Sequence, residues 1–284
     1  MNPLILDGKT LKEDIRQQLK EEISHLGVTP LLVIIQVGDR EDSNVYIRQK
    51  KLFGESIGVD VRVEKYSSDV TEDELISRVE VCNADASVTG IIIQLPLSAH
   101  IHAQEIVERV DPEKDVDGLG SVQQGKLYSG DRSVLIPATA QAVRVLCEKH
   151  NIALAGKHVL IVGRSYLVGR PLVLCMLAQD ATVTVAHSKS VAPHILAQQA
   201  DIVVVCAGKA KLVDASWFAG GRRPVVIDVG IHKTDTGLCG DVDFDKVAPL
   251  VSAISPVPGG VGPLTVACLF SNLVRAFKIQ RSML

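Results

Sequence analysis

Leu31-Leu32-Val33-Ile34-Ile35-Gln36-Val37 is a near-continuous apolar run, followed by the turn-like Gly38 to Asp42 and by Ser43-Asn44-Val45-Tyr46-Ile47-Arg48-Gln49-Lys50-Lys51. Such a run is what a parallel strand covered on both faces requires. Ser43 is a residue type that caps helices, and a helix starting from it sets Tyr46 and Lys50 one turn apart on a shared face. A phenol and an amine held side by side can bind and protonate a substrate. The same residues also fit a solvated Arg48/Lys50/Lys51 face with Tyr46 as a half-buried anchor. After Gly58, the alternating Val59, Val61 and Val63 predict a second strand. Thr71-Glu72-Asp73-Glu74 then opens a capped helix carrying Leu75, Val79 and Cys82, and Gly90-Ile91-Ile92-Ile93 is a third strand. Upstream, Thr10-Leu11-Lys12-Glu13 has the capping-box pattern, and Leu11, Ile15, Leu19 and Ile23 recur every four residues up to a glycine stop at Gly27. Strands alternating with helices predict an α/β unit with a parallel sheet.

In such sheets the ligand crevice lies beyond the carboxyl ends of the strands. Gln94-Leu95-Pro96-Leu97 directly follows the third strand, so Gln94 points into that crevice or satisfies loop backbone groups. The later loop Asp111-Pro112-Glu113-Lys114-Asp115-Val116-Asp117-Gly118 carries several carboxylates. One of them is placed to cap the next element, and a buried one is suited to a cationic or amidine-like ring edge.

From Gly156 a second α/β unit begins. Lys157-His158-Val159-Leu160-Ile161-Val162 reads as a strand entering Gly163-Arg164-Ser165-Tyr166-Leu167-Val168-Gly169-Arg170-Pro171, then a helix through Leu172, Met176 and Leu177. A glycine turn between strand and helix lets backbone N–H groups approach a phosphate, although the usual Gly-x-Gly-x-x-Gly spacing is absent. Thr182 to Val185, Asp201 to Cys206 and Val225 to Val229 supply further strands, the last two ending at Ala207-Gly208 and Gly230-Ile231. This series fits a Rossmann half. An NAD site usually has an acidic residue about 20 residues past the glycine turn. Here Ala186-His187-Ser188-Lys189 takes that place, which favours NADP over NAD unless His187 and Lys189 are ordinary surface residues. Ser255-Pro256-Val257-Pro258-Gly259-Gly260-Val261-Gly262-Pro263 forms a stiff apolar loop whose backbone can approach a ligand, and Thr265 to Lys278 predicts a final helix returning to the first domain.

The chain has 284 residues, 46% of them hydrophobic and 22% charged, with a net charge of −3. This suits a well-buried globular protein and gives no electrostatic case for nucleic acid or an anionic membrane. No apolar run approaches the roughly 18 residues of a membrane span, and residues 1–7 show no secretory signal, so the expected location is cytoplasmic. Cys82, Cys147, Cys175, Cys206, Cys239 and Cys268 are widely scattered without a Cys-x-x-Cys pair, which suggests neither a disulfide framework nor a zinc site. His100 and His102 lack a third ligand at suitable spacing, and no metal is expected.

Six segments in order resemble the bifunctional methylenetetrahydrofolate dehydrogenase/methenyltetrahydrofolate cyclohydrolase family over nearly the whole chain. They are Tyr46-x-x-x-Lys50; Gly90-Ile-Ile-Ile-Gln94-Leu-Pro96-Leu; Pro112-Glu-Lys-Asp-Val-Asp117-Gly-Leu; Val162-Gly-Arg-Ser-x-x-Val-Gly169-x-Pro171; His187-Ser188-Lys189; and Pro256-Val-Pro-Gly-Gly-Val-Gly-Pro263. The resemblance implies two α/β domains around a cleft, the second a Rossmann-type NAD(P)-binding domain, usually as a homodimer. The expected folate domain is 1–138 plus 265–284, and the expected NADP domain is 139–264. The implied activity is NADP-dependent oxidation of methylenetetrahydrofolate, with NAD possible, followed by hydrolysis to 10-formyltetrahydrofolate in one-carbon metabolism.

Position by position, the resemblance implies that Lys50 is the general acid/base of the hydrolytic step, with Tyr46 orienting the folate, Gln94 holding Lys50 and Asp117 binding the pterin. Leu95, Pro258, Gly259 and Gly262 would line the substrate. Gly163, Arg164 and Ser165 would meet the cofactor phosphates, with Ser188 near the 2′-phosphate and Ile231 near the nicotinamide end, and His187 and Gly208 would also bind the cofactor. The chain departs from the family at Pro137-Ala138-Thr139-Ala140, where Pro-Cys-Thr-Pro is typical, and at Leu264, where methionine is common. The competing readings are a family member that has lost the hydrolytic step, a dehydrogenase of another small substrate such as an amino acid or shikimate on the same plan, and a non-catalytic cofactor-binding protein.

Overall fold

The computed structural model describes residues 2–235 and 237–283. The chain runs through β1 (Leu4–Ile5), α1 (Gly8–Ser24), β2 (Leu31–Val37), α2 (Glu41–Ile57), β3 (Asp60–Tyr66), α3 (Glu72–Ala84) and β4 (Val88–Gln94). Then come α4 (Ala103–Glu108), α5 (Ser121–Ser129), α6 (Ala138–Lys149), β5 (His158–Val162), α7 (Gly169–Leu177) and β6 (Thr182–Ala186). The remainder is α8 (Pro193–Gln199), β7 (Ile202–Val205), β8 (Val225–Asp228), β9 (His232–Thr234), β10 (Gly237–Cys239), α9 (Phe244–Val247), β11 (Ala253–Ile254) and α10 (Val261–Gln280). None of the described helices is long and apolar enough to cross a membrane.

Two compact units emerge. One joins Asp14–Ala138 to the C-terminal segment from Val266, and the other joins the N-terminal segment through Glu13 to Thr139–Thr265. The N-terminal residues thus group with the second sheet, not with the first domain as expected. Backbone pairing is the reason: Leu4 and Ile5 lie parallel to Ala253 and Ile254, and the Leu6 N–H donates to the Ile254 carbonyl at 2.9 Å.

The first unit holds a parallel three-stranded sheet in the order β3-β2-β4. Leu32 to Val37 are all buried, as the two-sided covering of a central strand demands. At its carboxyl end the buried Gln36 donates to the Asn44 side chain at 2.7 Å, tying the strand to the first turns of α2. The middle turns of α10 complete the core: Phe270 packs on Phe53 with ring centroids 5.2 Å apart, and buried Asn272 donates to the Val116 and Ile136 carbonyls. Gly54 has to be glycine, because a Cβ there would lie 2.6 Å from Val61 and 3.0 Å from Phe270.

The second unit is built on a parallel six-stranded sheet, β1-β11-β8-β7-β5-β6. The chain leaves β5 for β6 on one side and resumes at β7 on the other. The direction of winding therefore reverses beside β5, and the crevice of this architecture opens at the carboxyl ends of β5 and β7. Ile202 to Val205 are wholly buried, and Trp217, Phe218, Val247 and Val251 close the core on one face.

Two helix starts differ from the sequence reading. The helix α2 begins at Glu41, with Arg40 in the capping position; Ser43 is buried in the first turn and does not cap it. The helix α1 begins at Gly8, two residues before Thr10, because the Asp7 carboxylate accepts the Lys9 N–H at 3.0 Å, the Thr10 N–H at 3.3 Å and the Thr10 hydroxyl at 2.6 Å. The Thr10 hydroxyl and these two amides hold the Asp7 carboxyl below the usual carboxylate range. The Thr71–Glu74 capping box forms as read. Asp7→Ala is expected to lower stability by about 1 kcal/mol, measured from the urea midpoint at constant slope. An unchanged midpoint would assign the cap elsewhere.

Candidate active site

Helix α2 carries Tyr46 and Lys50 four residues apart, hence on one face. Tyr46 is 37% exposed, a ring open to solvent on one side, whereas Lys50 is half-buried. The Lys50 Nζ donates to Gln94 Oε1 at 3.0 Å, and the Gln94 amide nitrogen is itself engaged, donating to the Leu95 carbonyl at 2.9 Å. That second bond turns the amide so that its oxygen faces the lysine. Gln94 is the last residue of β4, and the Leu95–Pro96 peptide that follows it is cis.

Asp117 completes this group. Burial pulls the Lys50 ammonium below the usual lysine range, and the nearby Asp117 carboxylate opposes that shift. Burial likewise pushes Asp117 above the usual carboxylate range, with Lys50 opposing. An amine whose charged form is disfavoured, held by a neutral amide and facing one carboxyl group, is suited to take up and return a proton. Asp117 is placed by its neighbours in the loop. Buried Asp115 accepts the N–H groups of Gly118, Leu119 and Gly120, and burial raises its carboxyl to about 6. Buried Lys114 spends its ammonium on the Cys82, Asn83 and Asp85 carbonyls at the end of α3. Of the four charged side chains nearest Asp117 in sequence, two are therefore consumed in shaping the loop.

In the second unit the turn after β5 has the close approach that a phosphate-binding turn needs. Gly163 sits at φ 137°, and a Cβ there would lie 2.3 Å from the Cys206 carbonyl oxygen. At Gly169, where α7 begins, a Cβ would lie 2.4 Å from the Gly163 oxygen. The two glycines let the helix start sit directly against the strand end. Arg164 and Ser165 are exposed on the turn, and the Ser165 Oγ accepts the Val168 N–H at 3.2 Å.

At the end of β6 the His187 N–H donates to Ser190 Oγ at 3.0 Å and His187 Nδ1 accepts the Lys189 N–H at 3.1 Å. This closes a small turn with Ser188 and Lys189 exposed and no carboxylate among residues 186–190. A cradle only glycine fits, a helix start behind it and hydroxyl and cationic groups at the next strand end together suit a dinucleotide carrying a 2′-phosphate.

Gly208, at φ 68°, and Ile231, 43% exposed, follow β7 and β8. Sequence reading missed what holds them. The fully buried Asp241 accepts the Ala207 and Gly208 N–H groups on Oδ2 and the Lys209 N–H and His232 Nε2 on Oδ1. Asp228 accepts the N–H groups of Gly230, Asp241 and Val242, and burial raises it to about 7. The one available signal was Asp228 ending the apolar run from Val225, two residues before Gly230, and Asp241 directly after Gly240.

Pro258, Gly259 and Gly262 belong to this second unit. Pro258 is exposed, Gly259 is buried at φ 122°, and Gly262 lies in the first turn of α10, which starts four residues earlier than the sequence suggested. The N-terminal segment braces the loop: the Gly8 N–H donates to the Gly259 carbonyl at 2.8 Å, and a Cβ on Gly8 would strike the Gly260 oxygen. His100 bonds the Val70 carbonyl at 2.9 Å. His102 instead gathers with Glu72 and Glu105, the one group of potential metal ligands among the described residues, where Glu72 is already engaged by the His102 backbone and ring nitrogens.

Residues 137–281 match the family profile described as tetrahydrofolate dehydrogenase/cyclohydrolase, NAD(P)-binding domain, and residues 6–117 match the corresponding catalytic domain. The chain is 44% identical to the bifunctional protein FolD of Agathobacter rectalis, covering 96% of this chain and 99% of that one. It is similar to the crystal structure of the bifunctional methylenetetrahydrofolate dehydrogenase/cyclohydrolase of Campylobacter jejuni, at 38% identity and a TM-score of 0.94 over 97% of this chain and 99% of that one. It is also similar to the Trypanosoma brucei dehydrogenase-cyclohydrolase complexed with NADP and an inhibitor, at 33% identity and a TM-score of 0.93 over 99% of each chain.

Proposed function

Because the chain belongs to the tetrahydrofolate dehydrogenase/cyclohydrolase family, we infer that it oxidises methylenetetrahydrofolate with NADP and hydrolyses the resulting methenyl compound to 10-formyltetrahydrofolate. The observation that carries the reading is the Lys50–Gln94 hydrogen bond beside Asp117, with the lysine pulled below its usual range. A surface lysine needs none of these features, and the oxidation step has no use for an amine so tuned.

NADP, when bound, supplies the acceptor for the hydride. Gly163, Arg164 and Ser165 would hold its phosphates, His187 and Ser188 the 2′-phosphate, and Gly208 and Ile231 the nicotinamide end. As the methylene C–H bond breaks, a neighbouring folate nitrogen lone pair forms the C=N bond of the methenyl cation, so this step asks the protein for position more than for a base. Tyr46, Leu95, Pro258, Gly259 and Gly262 would supply that position, with Asp117 accepting from the pterin edge.

In the second step water adds to the methenyl carbon and loses a proton. The ring C–N bond then breaks as its nitrogen gains one and the new hydroxyl gives up its own proton to solvent, leaving the formyl C=O, so that one proton is released overall. Lys50 takes the proton from the water and returns one to the departing nitrogen, while Gln94 keeps the amine directed at the reacting carbon. The cationic substrate helps to hold the amine neutral at the start.

Two measurements test this. An absorbance assay that follows reduced cofactor and methenyltetrahydrofolate together is expected to show both steps, faster with NADP than with NAD; no cofactor reduction with methylenetetrahydrofolate would end the proposal. The pH profile of cyclohydrolase kcat/KM tests the lysine. The Asp117 charge holds Lys50 up, so Asp117→Asn lets it fall further and moves the limb of the profile to lower pH, with a raised KM for folate. A limb that stays put or moves to higher pH would remove Lys50 from that limb. The homodimer and the cytoplasmic location belong to the same reading, and light scattering on the purified protein tests the first.

A further inference from the structure

We propose that Asp241 is a positioning residue for the cofactor, its buried carboxylate setting the loop after β7 and the turn after β8 so that Gly208 and Ile231 present one surface to the nicotinamide end. The proposal rests on the cofactor reading given above for those two residues.

A carboxylate offers about four acceptor positions. All four are taken at Asp241: the Ala207 N–H at 2.6 Å and the Gly208 N–H at 2.9 Å on one oxygen, the Lys209 N–H at 2.9 Å and the His232 Nε2 at 2.7 Å on the other. Three successive backbone amides converging on a single anion form a nest. In a nucleotide-binding loop such amides are commonly aimed outward at the ligand, but here they are committed inward, so the loop's outer face is set from behind. The fourth bond reaches the neighbouring strand end, since His232 adjoins Ile231.

The packing around this seating requires glycine at two positions. A Cβ on Gly230 would lie 2.3 Å from the Asp241 side chain, and one on Gly240 would lie 1.9 Å from the Asp228 carboxylate. Asp228 anchors the Asp241 backbone in turn, accepting its N–H at 3.0 Å. The ties therefore run from one strand end to the next, from the core outward to two exposed residues. A carboxylate that served stability alone would have no need to join those particular loops.

Asp241→Asn keeps the shape but offers one acceptor oxygen and points an NH2 group at two amides that are themselves donors. By titration calorimetry with NADP on the purified full chain, this variant is expected to bind at least about tenfold more weakly, the scale of one or two lost hydrogen bonds to a charged group. The dehydrogenase KM for NADP rises in parallel. Hydrolysis of methenyltetrahydrofolate, assayed without NADP, stays within about twofold of wild type, because the Lys50 group lies in the other unit. Should Asp241→Asn fail to fold, the pair at position 232 carries the test. His232→Leu removes the fourth donor and is expected to weaken NADP severalfold, whereas His232→Gln restores a donor and recovers most of the affinity. Wild-type NADP affinity in Asp241→Asn or His232→Leu overturns the proposal, as does an equal loss of hydrolysis. Ile231→Ala separates the two levels. If it weakens NADP while Asp241→Asn does not, positioning alone is wrong; if neither does, the cofactor reading of these loops is wrong as well.

Discussion

Lys50→Met is expected to lower cyclohydrolase turnover on the order of 10³-fold while leaving dehydrogenase turnover measurable, the range that a single general acid/base contributes. Methionine keeps the length and apolar stem of lysine, so the packing of α2 is retained and the lost quantity is the exchangeable proton. Gln94 remains tied to the Leu95 carbonyl and loses only the donor to its oxygen. The oxidation asks for no proton at that position, because the C=N bond forms from a nitrogen lone pair already present in the substrate. Two assays on one preparation decide the point. Undiminished hydrolysis would take Lys50 out of the mechanism, and equal loss of both activities would make it a binding residue. Removing the lysine also lets burial push Asp117 further up, so some loss of folate affinity accompanies the change.

Gly163→Ala is expected to give the mirror image, with dehydrogenase kcat/KM for NADP falling roughly 100-fold, the equivalent of about 3 kcal/mol of strain and displaced backbone, and hydrolysis retained. Two independent obstacles act at this position. The backbone sits at φ 137°, which side chains rarely adopt, and the new methyl would lie 2.3 Å from the Cys206 carbonyl. That oxygen belongs to the strand end flanking the crevice and cannot swing aside as a flexible side chain would. The turn must move, and the helix start at Gly169 moves with it, since its own Cβ position already faces the Gly163 oxygen. Wild-type NADP kinetics in Gly163→Ala would place the phosphates elsewhere. Paired with Lys50→Met, this variant divides the enzyme into its two chemistries.

Much of this was legible in the chain because it is written in local pattern. Leu31 to Val37 read as a doubly covered strand and is one, since a central parallel strand has no solvent face on which to spend polar residues. The Thr71–Glu74 cap depends on residues three apart and was recovered intact. Lys50 and Gln94 were legible as a pair only through resemblance to a family; spacing alone favoured a solvated face for Lys50. The start of α2 went astray because Ser43 looks like a cap wherever it stands, while the helix begins two residues earlier, at Glu41.

What the sequence determined by itself was the alternation of strands and helices, the two α/β units, the glycine turn and the absence of an acidic residue at the second strand end of the cofactor half. Each follows from neighbouring residues and from periodicities of two or four. Tertiary structure alone decided that Leu4 and Ile5 join the second sheet, because a strand's partner is chosen by backbone hydrogen bonds formed across some 250 residues of chain. It alone revealed that Asp115 and Lys114 shape the loop around Asp117, and that Asp241 gathers four donors from two loops. A carboxylate's role depends on which groups it is buried among, and burial is a property of the fold, not of the residue.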